Sequence, residues 1–233
     1  MKKELKAKAD PKKAKVLQKF FKTGIGEYGQ GDVFLGVAVP LTRKIAKKYH
    51  ILKLADVAKL LRSKIHEERL AALLMMVDRF QAGKEKEKEK IYKTYLKSAK
   101  YINNWDLVDL SADKIVGDYL FEKPKGILYK LAKSKSVWQK RIAIMATFNF
   151  IKKNKFEDTL KIAKILLRDK HDLIHKAVGW MLREVGKRDF KAEEEFLDKY
   201  HKKMARTTLR YAIEKFPKKK RKEYLTVGQK DIY

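Results

Sequence analysis

The chain has 233 residues, and its 58 lysines and arginines against 29 aspartates and glutamates give a formal net charge of +29 at pH 7. A charge of that size repels itself in a compact state unless a polyanion relieves it, which places nucleic acid first among partners and an anionic membrane surface second. The absence of cysteine excludes disulfides, thiolate nucleophiles, Cys-ligated zinc and iron–sulfur clusters, while 45% hydrophobic and 11% aromatic residues argue against disorder.

The first residues, Met1-Lys2-Lys3-Glu4-Leu5-Lys6, lead into further lysines without an apolar stretch, so no secretory signal is expected. Thr23 to Asp32 holds four glycines and reads as part of a loop over 23–40, after which Pro40 suits the first turn of a helix running to Tyr49. The longest apolar runs, Val33 to Leu41 and Leu70 to Val77, fall short of the roughly 20 residues of a membrane span. A soluble, cytoplasmic, nucleoid-associated protein without membrane partners follows.

With 4 prolines and 11 glycines in the whole chain, the remainder reads with helical periodicity and predicts an all-α fold. Leu60 with Lys64, Leu96 with Lys100, Leu131 with Lys135 and Leu166 with Lys170 recur at spacings of 36, 35 and 35 residues, each where one helix ends and an amphipathic segment begins. A two-helix period of that length predicts a right-handed α-solenoid of HEAT-like repeats forming one domain over 1–233, with 217–233 as a basic C-terminal segment. Equivalent positions of successive second helices then line a concave surface. Lysines 64, 100, 135 and 170 in register make that surface basic, although any one of them also complements a helix C-terminus.

Lys84 to Lys90 alternates lysine with glutamate, as an exposed helix or linker does. Asn103-Asn104-Trp105-Asp106-Leu107-Val108-Asp109 opens a helix on which Trp105 and Asp109, four apart, share a face with Ile102, Ala112 and Val116. An acid among apolar neighbours needs a partner or a task. Either Asp109 pairs with Arg141, or it serves as a general base or an electrostatic stabiliser of a cationic transition state. Trp138 and Arg141 repeat the spacing of Trp180 and Arg183, with Trp138 expected to pack in the core. In Ile174 to Val185 the stripe Ala177, Val178, Met181, Leu182 and Val185 is apolar. Lys176, Trp180, Arg183 and Lys187 fall opposite it, which predicts a ligand-facing tryptophan among cations.

Two further patterns carry less. His171 and His175 are four apart but lack the companions of a zinc site, so no metal is expected. Pro217 to Lys222 reads as the basic start of a terminal helix, and a nuclear address would follow only if that run acted as a localisation signal.

Together GDVFLGVAVP at 31–40, NWDLVD at 104–109, WQKRIAIM at 138–145 and KAVGWMLREVGKRD at 176–189 resemble, in order and over nearly the whole chain, the AlkD-like DNA alkylation repair glycosylases. The resemblance implies a HEAT-like fold and hydrolysis of the N-glycosidic bond of positively charged alkylpurines, N3-alkyladenine and N7-alkylguanine, in double-stranded DNA. It implies that Asp109 is the catalytic acid, that Trp105 and Trp180 are the aromatics beside the lesion, and that Arg141 and Arg183 are backbone ligands. Lys64, Lys100, Lys135, Lys170, Lys176 and Lys187 join them as expected DNA contacts. A monofunctional enzyme acting as a monomer without metal or cofactor is expected. The alternative is a non-catalytic scaffold for DNA or RNA on the same ridge, and a membrane- or protein-binding solenoid is a third reading.

Overall fold

Helical spacing of apolar residues becomes helices throughout the structure, a computed structural model that describes residues 1–226. Among these residues there is no sheet, only one isolated bridge between Val33 and Ile65. They fall into two compact units, Met1–Tyr119 and the residues from Leu120 onward.

The first unit contains α1 (Lys2–Ala7), α2 (Pro11–Phe20), α3 (Val39–Lys48), α4 (Leu54–Leu60), α5 (His66–Ala82), α6 (Glu85–Lys97) and α7 (Trp105–Asp109). Local chemistry explains the starts. Asp10 caps α2 by accepting from the amides of Lys12 and Lys13, with Pro11 at the first helical position. Pro40 lies in the first turn of α3. The run Leu70 to Val77 is buried on every side of α5, against which α3, α4 and α6 all pack. It is therefore the central helix of the unit rather than an amphipathic surface helix.

After α7 the chain takes a π-helical turn at Asp113–Gly117 before the short α8 (Asp118–Leu120). The uniform 3.6-residue spacing expected from Trp105 to Val116 thus holds only as far as Asp109.

The second unit contains α9 (Gly126–Ala132), α10 (Val137–Ala146), α11 (Phe148–Lys152), α12 (Glu157–Leu166), α13 (Asp172–Gly186), α14 (Phe190–Tyr200), α15 (Arg206–Ala212) and α16 (Lys218–Thr226). Its core includes the predicted stripe of α13, with Ala177, Val178, Met181, Leu182 and Val185 all buried. The basic run at 217–222 begins α16, and residues 227–233 lie outside the described residues.

The lysine register marks helix pairs. Lys64 lies between α4 and α5, Lys100 between α6 and α7, Lys135 between α9 and α10, and Lys170 between α12 and α13; all four are exposed. Among the described residues no helix is long and apolar enough to cross a membrane.

Candidate active site

The expected Trp-Asp pair lies in the first unit, on a foundation laid by residues 31–38. Val33 donates its amide to the Lys64 carbonyl at 3.0 Å and its carbonyl accepts from the His66 amide at 2.8 Å, which stitches this loop to the start of α5. The Glu67 carboxylate accepts from three successive amides, those of Leu35, Gly36 and Val37, at 2.8–3.2 Å. Gly36 is required at the centre: its φ is +84°, and a Cβ there would come within 2.2 Å of the Asp10 carbonyl oxygen. The GDVFLGV string is thus a loop wrapped around a buried carboxylate.

This wrapping sets Asp32 opposite His66 and Phe34 above it. Phe34 stacks on the His66 ring at 4.4 Å between centroids and on Phe21 at 5.0 Å, and Phe21 in turn stacks on Trp105 at 5.1 Å with 15° between planes. Asn104 fixes the far end. Buried completely, it accepts from the Trp105 amide at 2.8 Å and caps α7, while its side-chain nitrogen lies 3.4 Å from Asp32. Trp105 is half-buried, held on one face by Phe21.

Asp109, one turn further along α7, is half-buried. The buried Tyr95 hydroxyl, 2.9 Å from Ser111 Oγ, is held well above the usual phenol value by burial; the neighbouring Asp109 and Asp113 carboxylates push the same way. An acid beside an aromatic face, backed by a buried wall, can stabilise a cation or position water.

Sequence reasoning passed over Phe20. Its ring stands edge-on to Trp105 at 6.0 Å and is 62% exposed, next to the equally unburied Val16 on the preceding turn of α2. Exposed Lys12, Lys15 and Lys19 flank the pair.

Of the expected cations in this unit, Lys64 and Lys100 are exposed. Lys100 also lines a groove of about 820 Å³ between α4 and α6 that carries Lys59, Arg62, Lys90, Lys93 and Lys97, with Arg62 and Lys100 over the Tyr101 ring at 5.8 and 5.0 Å.

In the second unit Arg141 is buried and Arg183 half-buried. Arg141 is 5% exposed and donates to the Leu173 carbonyl at 2.5 Å, a bond that links α10 to α13. Arg183 is ion-paired with Glu214 and its side chain is 16% exposed.

Trp180, expected to face a ligand, is half-buried; its indole donates to Glu184 at 3.2 Å and its ring lies 6.1 Å from Phe148. Lys187 pairs with Glu184 at 2.6 Å and Lys176 with Asp172 at 2.7 Å, each about one turn away, while Lys135 and Lys170 are exposed. Trp138, expected in the core, is half-buried.

His171 and His175 are occupied locally. The His171 ring accepts from the Leu173 amide and the His175 ring contacts the Asp169 carbonyl. Among the described residues no group of three or more His, Asp or Glu side chains is placed to hold a metal ion.

The sequence profile of the family described as DNA alkylation repair enzyme matches residues 1–216. The chain belongs to that family. A structure of a predicted DNA alkylation repair enzyme from Enterococcus faecalis is similar to it with a TM-score of 0.68 at 17% identity, covering 91% of this chain and 98% of the other. The smu.31 protein of Streptococcus mutans UA159 is similar with a TM-score of 0.50 at 16% identity, over 98% and 100%. At these identities the likeness concerns the fold. No curated protein shows significant similarity. As a member of the alkylation repair family, the protein has a role in repairing alkylated DNA.

Proposed function

We propose that the protein is a monofunctional DNA glycosylase that hydrolyses the N-glycosidic bond of N3-alkyladenine and N7-alkylguanine in double-stranded DNA. The observation that carries this reading is Asp109, half-buried one turn beyond Trp105 in a chain of the alkylation repair family.

Alkylation at N3 or N7 makes the purine a cation and a good leaving group. An aromatic face attracts such a cation by about 0.5–2 kcal/mol. As the bond lengthens, positive charge develops on the sugar, and the Asp109 carboxylate stabilises it and orients the attacking water, as carboxylates do at other glycosidic bonds. Electrons of the C1′–N bond leave with the base and cancel its charge, and water supplies the hydroxyl at C1′ and releases a proton to solvent. Trp105 offers the first aromatic face. Trp180 is assigned the second on the resemblance of its sequence segment.

Backbone binding falls to the exposed lysines 64, 100, 135 and 170, with Lys176 and Lys187 available by opening surface ion pairs of small worth. Arg141 and Arg183 are assigned as further backbone ligands on the resemblance of their sequence segments, Arg183 by exchanging Glu214 for phosphate. The protein is proposed to act as a monomer, without cofactor, on the nucleoid in the cytoplasm.

The test is chromatography of bases released from methylated duplex DNA. Wild type should release N7-methylguanine or N3-methyladenine, and Asp109→Asn should bind the duplex but release neither. Full release by the Asn variant removes Asp109 from the chemistry. Tight binding with no release from any alkylated duplex favours the scaffold reading, and trapping of a protein–DNA Schiff base by borohydride contradicts monofunctional hydrolysis.

A further inference from the structure

Beneath α7 lies a cluster of charges that the chemistry above does not use. His66 is 2% exposed, and both of its ring nitrogens are engaged: Nδ1 lies 3.2 Å from Asp32 Oδ2 and Nε2 lies 2.8 Å from Asp106 Oδ2. Ionised carboxylates only accept hydrogen bonds, whereas a neutral imidazole has a single N–H, so two carboxylates on two nitrogens are satisfied only by imidazolium.

Charge balance agrees. The ionisable groups facing the ring are Asp32 from the loop, Asp106 from α7 and Arg69 from α5, the last 2.6 Å from Asp32. The uncharged rings of Phe21 and Phe34 also pack against it. Two carboxylates and one guanidinium are neutral together only if His66 carries a proton. Burial pulls the imidazolium down, yet the bonds to Asp106 and Asp32 outweigh burial and the Arg69 charge and leave His66 above its ordinary value.

The two carboxylates are not equivalent. Asp32 is buried and also held by Arg69 and Asn104. Asp106 is 18% exposed, and its other oxygen accepts from the Leu107 amide within its own helix. Asp106 follows Trp105 and precedes Asp109 by three residues, within the first turn of α7. Its tie to His66 joins that turn to α5.

We propose that His66, held by Asp32, is a positioning residue of the alkylpurine site: its grip on Asp106 fixes the first turn of α7 and thereby the presentation of the Trp105 ring and the Asp109 carboxylate. This rests on the glycosylase reading, and it concerns a residue that touches neither substrate nor water. Loss of the imidazolium proton turns one of the two contacts into a lone pair facing a carboxylate. Asp106, the less restrained partner, then releases the turn. The site therefore holds its geometry below the raised His66 value and loses it as pH rises through that value.

The experiment compares wild type with His66→Gln, which cannot titrate, by two readouts across pH 6 to 10. One is the Trp105 indole NMR signal, assigned by its absence in Trp105→Phe; the other is single-turnover base release from methylated duplex. In wild type the indole signal should move with a midpoint above the ordinary histidine value, and release should fall over the same range. In His66→Gln neither should titrate there, and release at pH 7 should be lower by roughly ten- to hundredfold, the cost of a misplaced site, with duplex affinity unchanged.

A wild-type indole signal that ignores pH, or one that titrates equally in the variant, overturns the proposal. So does an indole response unaccompanied by any difference in release between the two proteins. If wild type releases no base at all, the glycosylase reading fails, and the indole titration alone then decides whether His66 positions α7.

Discussion

Gly179 lies against the Thr208 carbonyl: a Cβ on residue 179 would come within 2.5 Å of that oxygen and equally close to Tyr211 Cβ. The glycine in the string KAVGWMLREV is therefore a contact point between α13 and α15, one residue before Trp180. Helix propensity alone favours Gly→Ala by about 1 kcal/mol, but overpacking against a backbone costs about 1–3 kcal/mol or more. Gly179→Ala should therefore destabilise the protein. For a chain of this size, each kcal/mol lowers Tm by about 2–4 °C, and a thermal melt decides the sign.

Glu193 on α14 is 2% exposed, and its Oε1 has no hydrogen-bond partner among the described residues. Burial pushes its carboxyl up to about 9 against the opposing charge of Arg183, from an ordinary 4.5. The folded state thus holds a proton that the unfolded chain gives up above pH 4.5. Its contribution to stability is complete below the ordinary value, declines as pH rises between the two values and levels off above about 9. Glu193→Gln should remove this decline, so melts at pH 5, 7 and 9 should show the variant gaining on wild type with each step.

Phe20 and Phe21 should respond oppositely to alanine. Phe21 is buried in the stack between Phe34 and Trp105, and its loss should cost about 3–5 kcal/mol. Phe20 is exposed beside Trp105, and its loss should alter stability by no more than about 0.5 kcal/mol while weakening base release or duplex binding. Melts paired with release assays separate the two roles.

Lys64, Lys100, Lys135 and Lys170 should each account for about 0.9 in the slope of log affinity against log salt if each meets one phosphate. Changing all four to glutamine should flatten that slope by about three to four. Arg141→Ala should lower Tm as well, because the guanidinium is buried against Leu173.

Removing the Glu67 carboxylate should unfasten residues 33–37. Each charge-assisted bond to a backbone amide contributes about 1.5–3 kcal/mol, and Glu67→Ala removes those to Leu35, Gly36 and Val37 together. Faster hydrogen exchange at these three amides, with a lower Tm, is the expected result.

The helix pairs and the face shared by Trp105 and Asp109 were legible because they depend on spacing within one segment, where the helical period places side chains. The α13 stripe was legible for the same reason. Arg141 shows where that logic ends: spacing does not reveal that the Leu173 carbonyl, on another helix, accepts from its buried guanidinium. Phe20 and His66 were missed because nothing local distinguishes them from any other helical Phe or His.

By itself the sequence determined that the protein is all-helical, paired in a period near 35 residues, strongly cationic, and equipped with an acid one turn beyond a tryptophan. These follow from composition and from periodicity along one strand of chain. Tertiary structure decided which cations remain in water, which glycines are pressed against a neighbouring backbone, and that Asp32, His66 and Arg69 meet Asp106, 74 residues beyond Asp32 in sequence, as one neutral cluster. Such pairings depend on which elements pack together, and burial then sets both the charge and the reach of the groups it brings into contact.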